Sequence, residues 1–477
     1  MAEQDPQVAP GQDRSEGDTW VDFMKRDSRE VPDFLIEESY EYRGSEPIPA
    51  ERYTSEEFAR LERERMWPYV WQFAAREEDL PEPGDYIVHE IAGRSWLVVR
   101  QEDGSVRAMH NVCLHRGRKL RTEDGSAPDG FTCPFHAFSW NKDGSFNKAP
   151  CQWDFPHLKD KNLDLPDAEV GHWQGYIFIR EEKGGPSLEE YLAPLPDHFK
   201  RWRHDECVTV MRVAKEVPAN WKVTAEAFME AWPTVVTHPQ LLPFTGDCNG
   251  AYWTYGDHVN VNLVPFGVMS PHVAEGQGEQ WIVDEFIKYN GRSSDNYDPD
   301  ADPMAIEVPE GKTAREALGD RMREVYTEQT GYDHSHATDA EVLDALVYNV
   351  FPNFAPWGGY MPNIVYRWYP GKTPDTCVME VRVLARVKKG EPKPAGAPLK
   401  YLTIDQKWTE APELGGLGEV FEQDMDNLPY VQEGLKVHKT GEVQLGNYQE
   451  IRLRQFQDTM MKYIDGELGG AAPGKTA

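Results

Sequence analysis

The chain has 477 residues, 39% hydrophobic and 12% aromatic, enough for more than one buried core. Its formal net charge of −31 argues against nucleic acid and anionic membranes as partners, since both repel an acidic surface. Six cysteines in a chain this long do not make a disulfide framework and point to thiol or metal chemistry.

The opening stretch MAEQDPQVAPGQDRSEGD has neither the basic nor the apolar region of a secretory signal. The longest apolar runs, WLVV and YIFI, are strand-sized, far from the roughly 18 residues of a membrane span. A cytoplasmic protein is expected. Residues 1–45 are polar and charged, with scattered Pro and Gly, and predict a flexible arm, mobile or draped. TSEEFARLERERMWP predicts a helix with Thr54 and Glu57 as its capping box and Pro68 as its stop.

From about 69 to 185 the texture changes to short strands: YVWQFAA, DYIVHEI, SWLVVR, VRAMHNV and GYIFIR. Pro-Gly, Asp-Gly and Gly-Ser turns separate them. Residues 46–185 therefore read as the helix plus a small all-β domain. Beyond 186 helices and strands mix, and 186–465 reads as a second, α+β domain. NWKVTAEAFMEAW is helical by composition. The Gly-, Asp- and Pro-rich stretch 273–312 predicts a long surface loop or lid. TAREALGDRMREVY predicts a helix behind a Thr313/Glu316 capping box. NIVYRWYP and TCVMEVRVLARV predict a hairpin around GKTPD, and YQEIRLRQFQDTMMKYI a last helix with Ile451, Phe456, Met460 and Ile464 near one face. Residues 466–477 read as a flexible tail.

Two constellations carry chemistry. The first is Cys113-x-His115, then 17 residues, then Cys133-x-x-His136. Two short Cys/His pairs suggest two loops closing on one centre. Zinc takes such ligands. So does a Rieske [2Fe–2S] cluster, in which two thiolates hold one iron and two imidazoles the other. Mixed zinc fingers group Cys with Cys and His with His, whereas here each pair holds one of each.

The pattern C-x-H-x17-C-x-x-H ahead of a long α+β region resembles the large (alpha) subunit of Rieske non-heme iron oxygenases, the aromatic ring-hydroxylating dioxygenases and related monooxygenases and demethylases. IPAERYTSEEFARLERERMWPYVWQFAA, GHWQGYIFIREE, NVFPNF and FEQDMDNLPYVQEGL are similar to landmarks of that family. The resemblance implies an all-β Rieske domain followed by a helix-grip-like catalytic domain with an antiparallel sheet. It makes Cys113 and Cys133 ligands of one cluster iron and His115 and His136 ligands of the other. Ala137 follows His136 where the family commonly has Gly.

The second constellation follows from the resemblance. A mononuclear Fe(II) that leaves positions open for O2 is held by two histidines and a carboxylate. In the family the histidines lie in Asp/Glu-x-x-His-x-x-x-x-His, shortly after NWK. Here Asn220-Trp221-Lys222 precedes Glu230-x-x-Pro233-x-x-x-x-His238. His238 matches the second histidine, and Asp424, with Asp426 as the close alternative, matches the downstream carboxylate. Glu230 matches the acidic residue that bridges the cluster of one subunit to the iron of the next; alone it reads as an exposed helical carboxylate. Pro233 stands where the first histidine belongs and offers no lone pair.

Three readings of Pro233 follow: a crippled iron site, a triad completed by His258, His272, His334 or His336, or an isolated change in a functional lineage. The resemblance implies a separate NAD(P)H-dependent reductase or ferredoxin as electron donor, and O2 and a hydrophobic, aromatic organic compound as substrates. The product would be a cis-dihydrodiol, a hydroxylated or a demethylated compound. It further implies a homotrimer, or an α3β3 assembly with a small subunit. Phe228, Trp232, Leu241, Leu242 and Phe244 are the candidate substrate contacts near the iron segment.

Overall fold

The computed structural model describes residues 8–274, 276–291, 306–360 and 363–469. The chain divides into two compact units, with boundaries at Ala59/Arg60, Tyr191/Leu192 and Met461/Lys462.

In the smaller unit a 7-stranded sheet runs in the order Gln72–Arg76, Tyr176–Arg180, Asp167–Trp173, Val106–His110, Arg94–Arg100, Asp85–Ile91 and Gly125–Ser126. Every pairing is antiparallel. Successive strand residues face opposite sides. WLVV is buried throughout because both sides are covered: Trp96 and Val98 join a core with Ile177 and Ile179. Leu97 and Val99 join a second core that holds Cys113, Cys133, Phe131, Phe138 and Trp140. A 3-stranded sheet of Phe131–Thr132, Ser139–Trp140 and Phe146–Lys148 carries the second Cys/His loop.

The larger unit is built on an 8-stranded sheet in the order Ala251–Tyr255, Val259–Val264, Ala345–Val350, Phe354–Pro356, Asn363–Pro370, Cys377–Arg386, Cys207–Val217 and Lys400–Leu402. It is antiparallel except for the last pair. The expected hairpin is present, with Pro370 opposite Cys377. On this sheet Glu380 is 3% exposed, with Arg212 Nε at 2.9 Å, Arg367 at 2.5 Å and Arg382 Nε at 2.8 Å. Burial opposes its charge, but these guanidiniums hold the carboxyl well below the usual range.

Four expectations change. Residues 8–45 are not a free arm: Trp20–Arg26 forms a helix behind a Thr19/Asp22 capping box. Trp20, Phe23 and Met24 are buried, and Trp20 Nε1 donates to Leu35 O at 2.8 Å. The few apolar residues sit at helical spacing, a signal diluted by the surrounding charge. The expected helix starts at Glu56, behind Ser55 rather than Thr54: Ser55 Oγ accepts from Phe58 N at 3.2 Å, while Thr54 ends the short helix Glu51–Thr54 and its Oγ1 donates to Ala50 O. The stretch 273–312 contains the helix Glu279–Gly291, which buries Ile282, Val283, Phe286 and Ile287. Residues 275 and 292–305 of the expected lid, and 470–477 of the expected C-terminal tail, lie outside the described residues. Finally, the helix expected over NWKVTAEAFMEAW ends at Glu226.

Candidate metal centres

The two Cys/His loops are built alike. Cys113 N donates to Arg118 O at 2.8 Å and Gly117 N to Cys113 O at 2.9 Å; Cys133 N donates to Phe138 O at 2.8 Å and Ala137 N to Cys133 O at 2.9 Å. Each loop turns through a left-handed residue four positions after its cysteine, Gly117 at φ 75° and Ala137 at φ 60°. Glycine takes that conformation freely; alanine carries a cost of about 1–2 kcal/mol. The glycine usual at this position thus has a conformational reason, and Ala137 is a strained substitute.

Both cysteines are buried. Their thiols lie close enough to hydrogen-bond each other. Burial pushes the Cys113 thiol up. Cys133 is lowered although burial works against it, because the backbone N–H groups of Phe135 and His136 face its sulfur. The rings of His115 and His136 are 4.8 Å apart, edge to face, and His115 stacks on Phe138 at 4.6 Å. His115 Nδ1 is buried without a hydrogen-bond partner. Burial, with His136 and Arg116 adding to it, holds the imidazole below its usual value and therefore neutral, the form that ligates metal.

The four do not converge on one ion. Among the described residues, the His, Cys, Asp and Glu side chains whose donor atoms gather in threes within 4.8 Å are Asp247, Cys248 and His272, elsewhere in the chain. A single tetrahedral zinc would need closer convergence. Two facing thiols and two adjacent imidazoles, one with an orphaned nitrogen, fit a two-iron cluster.

The second constellation starts at Asn220, which caps the helix Trp221–Glu226 by accepting from Lys222 N. Gln432, on the helix Leu428–Val437, accepts from Asn220 N at 3.0 Å and donates to Asp375 at 2.9 Å. The sequence landmark eight residues after Asp424 thus locks the start of the NWK segment. After Glu226 the chain leaves the helix, and Trp232–Val235 is a 3-10 turn with Pro233 second. The clash of proline with a helical carbonyl does not arise: Met229 O accepts from Arg452 at 3.0 Å. The carbonyl of Pro233 accepts from Thr237 N at 2.7 Å and His238 N at 3.2 Å, which sets His238 in place.

His238 and Asp424, 186 residues apart in sequence, meet: Nε2 lies 3.1 Å from Asp424 Oδ1. The helix Gly416–Met425 carries Asp424 on its buried side, while Asp426 at its end is exposed. The other ring nitrogen, Nδ1, lies 2.8 Å from Gln423 Oε1, and Gln423 also pairs with Gln240. Burial raises the Asp424 carboxyl; for His238 burial acts the other way, but the Asp424 carboxylate prevails and raises the imidazole. Gln423 was missed from the sequence, although its place beside Asp424 was the available signal.

Glu230 does not act as an exposed helical carboxylate. It lies beyond the helix end, half-buried, and Oε2 accepts from Trp232 N at 2.5 Å. Burial pushes its carboxyl up to about 8, with Glu450 and Asp424 adding to the rise. Two donors, His238 and Asp424, do not hold one face of an Fe(II) ion, and among the described residues no third His, Cys, Asp or Glu closes within 4.8 Å of both. The alternative histidines are engaged elsewhere. His334 Nδ1 meets Tyr332 O, His336 meets Tyr360, and His272 meets Cys248; His258 belongs to no group of three donors within 4.8 Å among the described residues. His334 also lines a cavity of about 220 Å³ with Trp202, Tyr326 and Tyr360, which includes none of the expected ligands.

Of the expected substrate contacts, Phe228 packs with Tyr366, Trp368 and Phe421, one helical turn from Asp424. Phe244 is core, enclosed by Phe266, Phe286 and Tyr289. Trp232 is exposed, and Leu241 and Leu242 are half-buried.

Residues 70–159 match the family model of the Rieske [2Fe–2S] domain, and residues 198–466 that of the ring-hydroxylating alpha subunit (catalytic domain). The chain belongs to the Rieske oxygenase alpha-subunit family. The family joins a [2Fe–2S] cluster to a mononuclear iron. In this member of the family the cluster residues fit their group, and His238 and Asp424 meet with no third His, Cys, Asp or Glu donor near both among the described residues.

The chain is 28% identical over 198 residues to the carnitine monooxygenase oxygenase subunit of Acinetobacter baumannii, covering 40% of this chain and 52% of that protein. It is 32% identical over 181 residues to the chlorobenzene dioxygenase subunit alpha of Cupriavidus sp. strain PS12, covering 37% and 40%. The chain thus spans about half the length, or less, of these curated relatives. Its fold matches the quaternary ammonium Rieske monooxygenase in complex with L-carnitine, with a TM-score of 0.61, 18% identity and coverage of 88% of this chain and 96% of that one. It matches naphthalene 1,2-dioxygenase with indole bound equally well, at a TM-score of 0.61 and 19% identity over 89% and 93%. No helix among the described residues is long and apolar enough to cross a membrane.

Proposed function

We propose that this chain is the oxygenase component of a Rieske-type system. It takes electrons from a separate NAD(P)H-dependent reductase or ferredoxin and uses O2 to hydroxylate, dihydroxylate or demethylate a hydrophobic organic compound. The observation that carries this reading is the pair of matching loops that present Cys113, His115, Cys133 and His136 together, with one imidazole nitrogen buried and free. When bound, the cluster supplies one-electron transfer at a potential raised by its two imidazoles.

The half-buried rings of His115 and His136 are the exit for that electron. The aromatic wall of Phe228, Tyr366, Trp368 and Phe421 beside Asp424 favours an apolar, aromatic compound. A cationic quaternary ammonium compound, as in the name of one relative, is the competing substrate, since the same ring faces attract cations. The reading includes a homotrimer, or a mixed assembly with a small subunit, in which one chain's cluster serves the next chain's iron site, with Glu230 at the junction.

Pro233 favours a second reading, in which the chain carries electrons or acts as a non-catalytic subunit, because His238 and Asp424 alone bind Fe(II) weakly. Iron and acid-labile sulfide per chain, with O2 uptake, decide between them. About three irons and two sulfides with substrate-dependent O2 uptake support the oxygenase. About two irons and two sulfides without uptake support the second reading. Absence of sulfide from protein purified anaerobically overturns both.

A further inference from the structure

Asp247, Cys248 and His272 gather away from both constellations above. Cys248 Sγ is 3.3 Å from His272 Nε2 and 3.8 Å from Asp247 Oδ2, and Asp247 Oδ2 is 4.0 Å from His272 Nε2. The scaffold is fixed. Gly246 N donates to Pro265 O at 2.9 Å, Gly267 N to Phe244 O at 2.9 Å and Ser270 N to Leu242 O at 3.0 Å, so the two segments run side by side. Asp247–Asn249 forms a 3-10 turn, and Asn249 donates to Asp18 O at 2.7 Å. Ser15 lies against the Cys248 thiol.

Asp247 is 1% exposed, and its Oδ1 accepts no hydrogen bond. A buried carboxylate without full compensation is costly. Its ion-pair contact is the long one to His272, whose side chain is 45% exposed. A nucleophilic role for Cys248 is disfavoured, because the adjacent carboxylate opposes a thiolate. A divalent cation satisfies both: it neutralises the carboxylate and takes the place of the thiol proton.

We propose that Asp247, Cys248 and His272 form a further metal site that takes a borderline-soft divalent cation of the zinc type. Tetrahedral zinc places S and N, or S and O, about 3.5 Å apart, and N and O about 3.3 Å apart. The largest closure needed is about 0.7 Å, and it falls on the exposed imidazole, the donor most free to move. Three protein donors leave the fourth position to water. The bound ion clips the segment carrying His272 to the turn carrying Cys248.

The test uses the full chain with its cluster, dialysed against buffered micromolar Zn²⁺ and analysed for zinc by mass spectrometry. Wild type should retain about one zinc per chain more than Cys248→Ala or His272→Ala. Both substitutions are at the rim of the site, and an unchanged chemical unfolding transition shows that the larger unit of each variant is folded. His238→Ala should keep the zinc. X-ray absorption of the zinc should show one sulfur at about 2.3 Å. Equal zinc in wild type and Cys248→Ala, loss of zinc in His238→Ala instead, or a zinc spectrum without sulfur each overturns the site and leaves a thiol–imidazole hydrogen bond in its place.

Discussion

Pro233→His places an imidazole where the family resemblance puts an iron ligand, and the structure limits what the change costs. Pro233 is the second residue of a 3-10 turn, where an N–H has no partner within the turn in any case. The backbone loss is therefore confined to the stiffness proline gives the unfolded chain, about 0.4–1 kcal/mol. The gain is a third donor beside His238 and Asp424. Outer partners of metal ligands alone are worth roughly 10–100-fold in affinity, so a new ligand should tighten Fe(II) binding at least about tenfold. At a free Fe(II) equal to the wild-type Kd, linkage gives wild type about 0.4 kcal/mol and the variant about 1.4 kcal/mol, or about 2.7 at a hundredfold.

The variant should accordingly melt slightly below wild type with the iron site empty, and gain at least about 1 kcal/mol more from Fe(II). Anaerobic thermal unfolding across an Fe(II) titration reads both arms, with sulfide content as the control on the cluster. An unchanged Fe(II) affinity would refute the placement of residue 233 at the ligand position. It would also remove the reason given for the second functional reading.

Four further outcomes are expected. Ala137→Gly should stabilise the second cluster loop by roughly 0.5–1 kcal/mol once the added freedom of the unfolded chain is subtracted. Gly117→Ala should cost about 0.5–1 kcal/mol net of the same correction, and from its φ alone, because a Cβ there would meet nothing within 4 Å; denaturant unfolding of both variants measures the pair. Glu380→Gln should destabilise the larger unit by about 3–5 kcal/mol in chemical denaturation, since it leaves buried guanidiniums without their carboxylate.

Glu226 is 8% exposed, bonded to Tyr53 and Gln457, and pushed up to about 7 by burial. Between about pH 4.5 and 7 the folded state holds on Glu226 the proton that the unfolded state has lost, so the contribution of this group to stability falls as pH rises through that window and levels off above it. The span is about 3 kcal/mol. Glu226→Gln should reduce the slope by that amount and leave the share of Glu230, which burial also raises; a slope unchanged from wild type in pH-dependent unfolding would assign the titration elsewhere.

The sequence determined most of what depends on short separations, the Thr54/Glu57 capping box being an exception. The Cys/His pairs, the Thr313/Glu316 capping box, the GKTPD hairpin and the last amphipathic helix are all local: a loop, a helix turn or a strand register brings such residues together whatever the rest of the chain does. His238 with Asp424 was legible only through a family resemblance, because a contact across 186 residues leaves no periodicity to read. Tertiary structure alone decided the rest. It folded residues 8–45 by burying Trp20 and Met24, ended the NWK helix at Glu226, and made Glu230 a half-buried carboxyl bonded to Trp232 N–H. It also gathered Asp247, Cys248 and His272. Burial and charge pairing depend on which segments pack together, and that is a property of the whole fold rather than of any window of sequence.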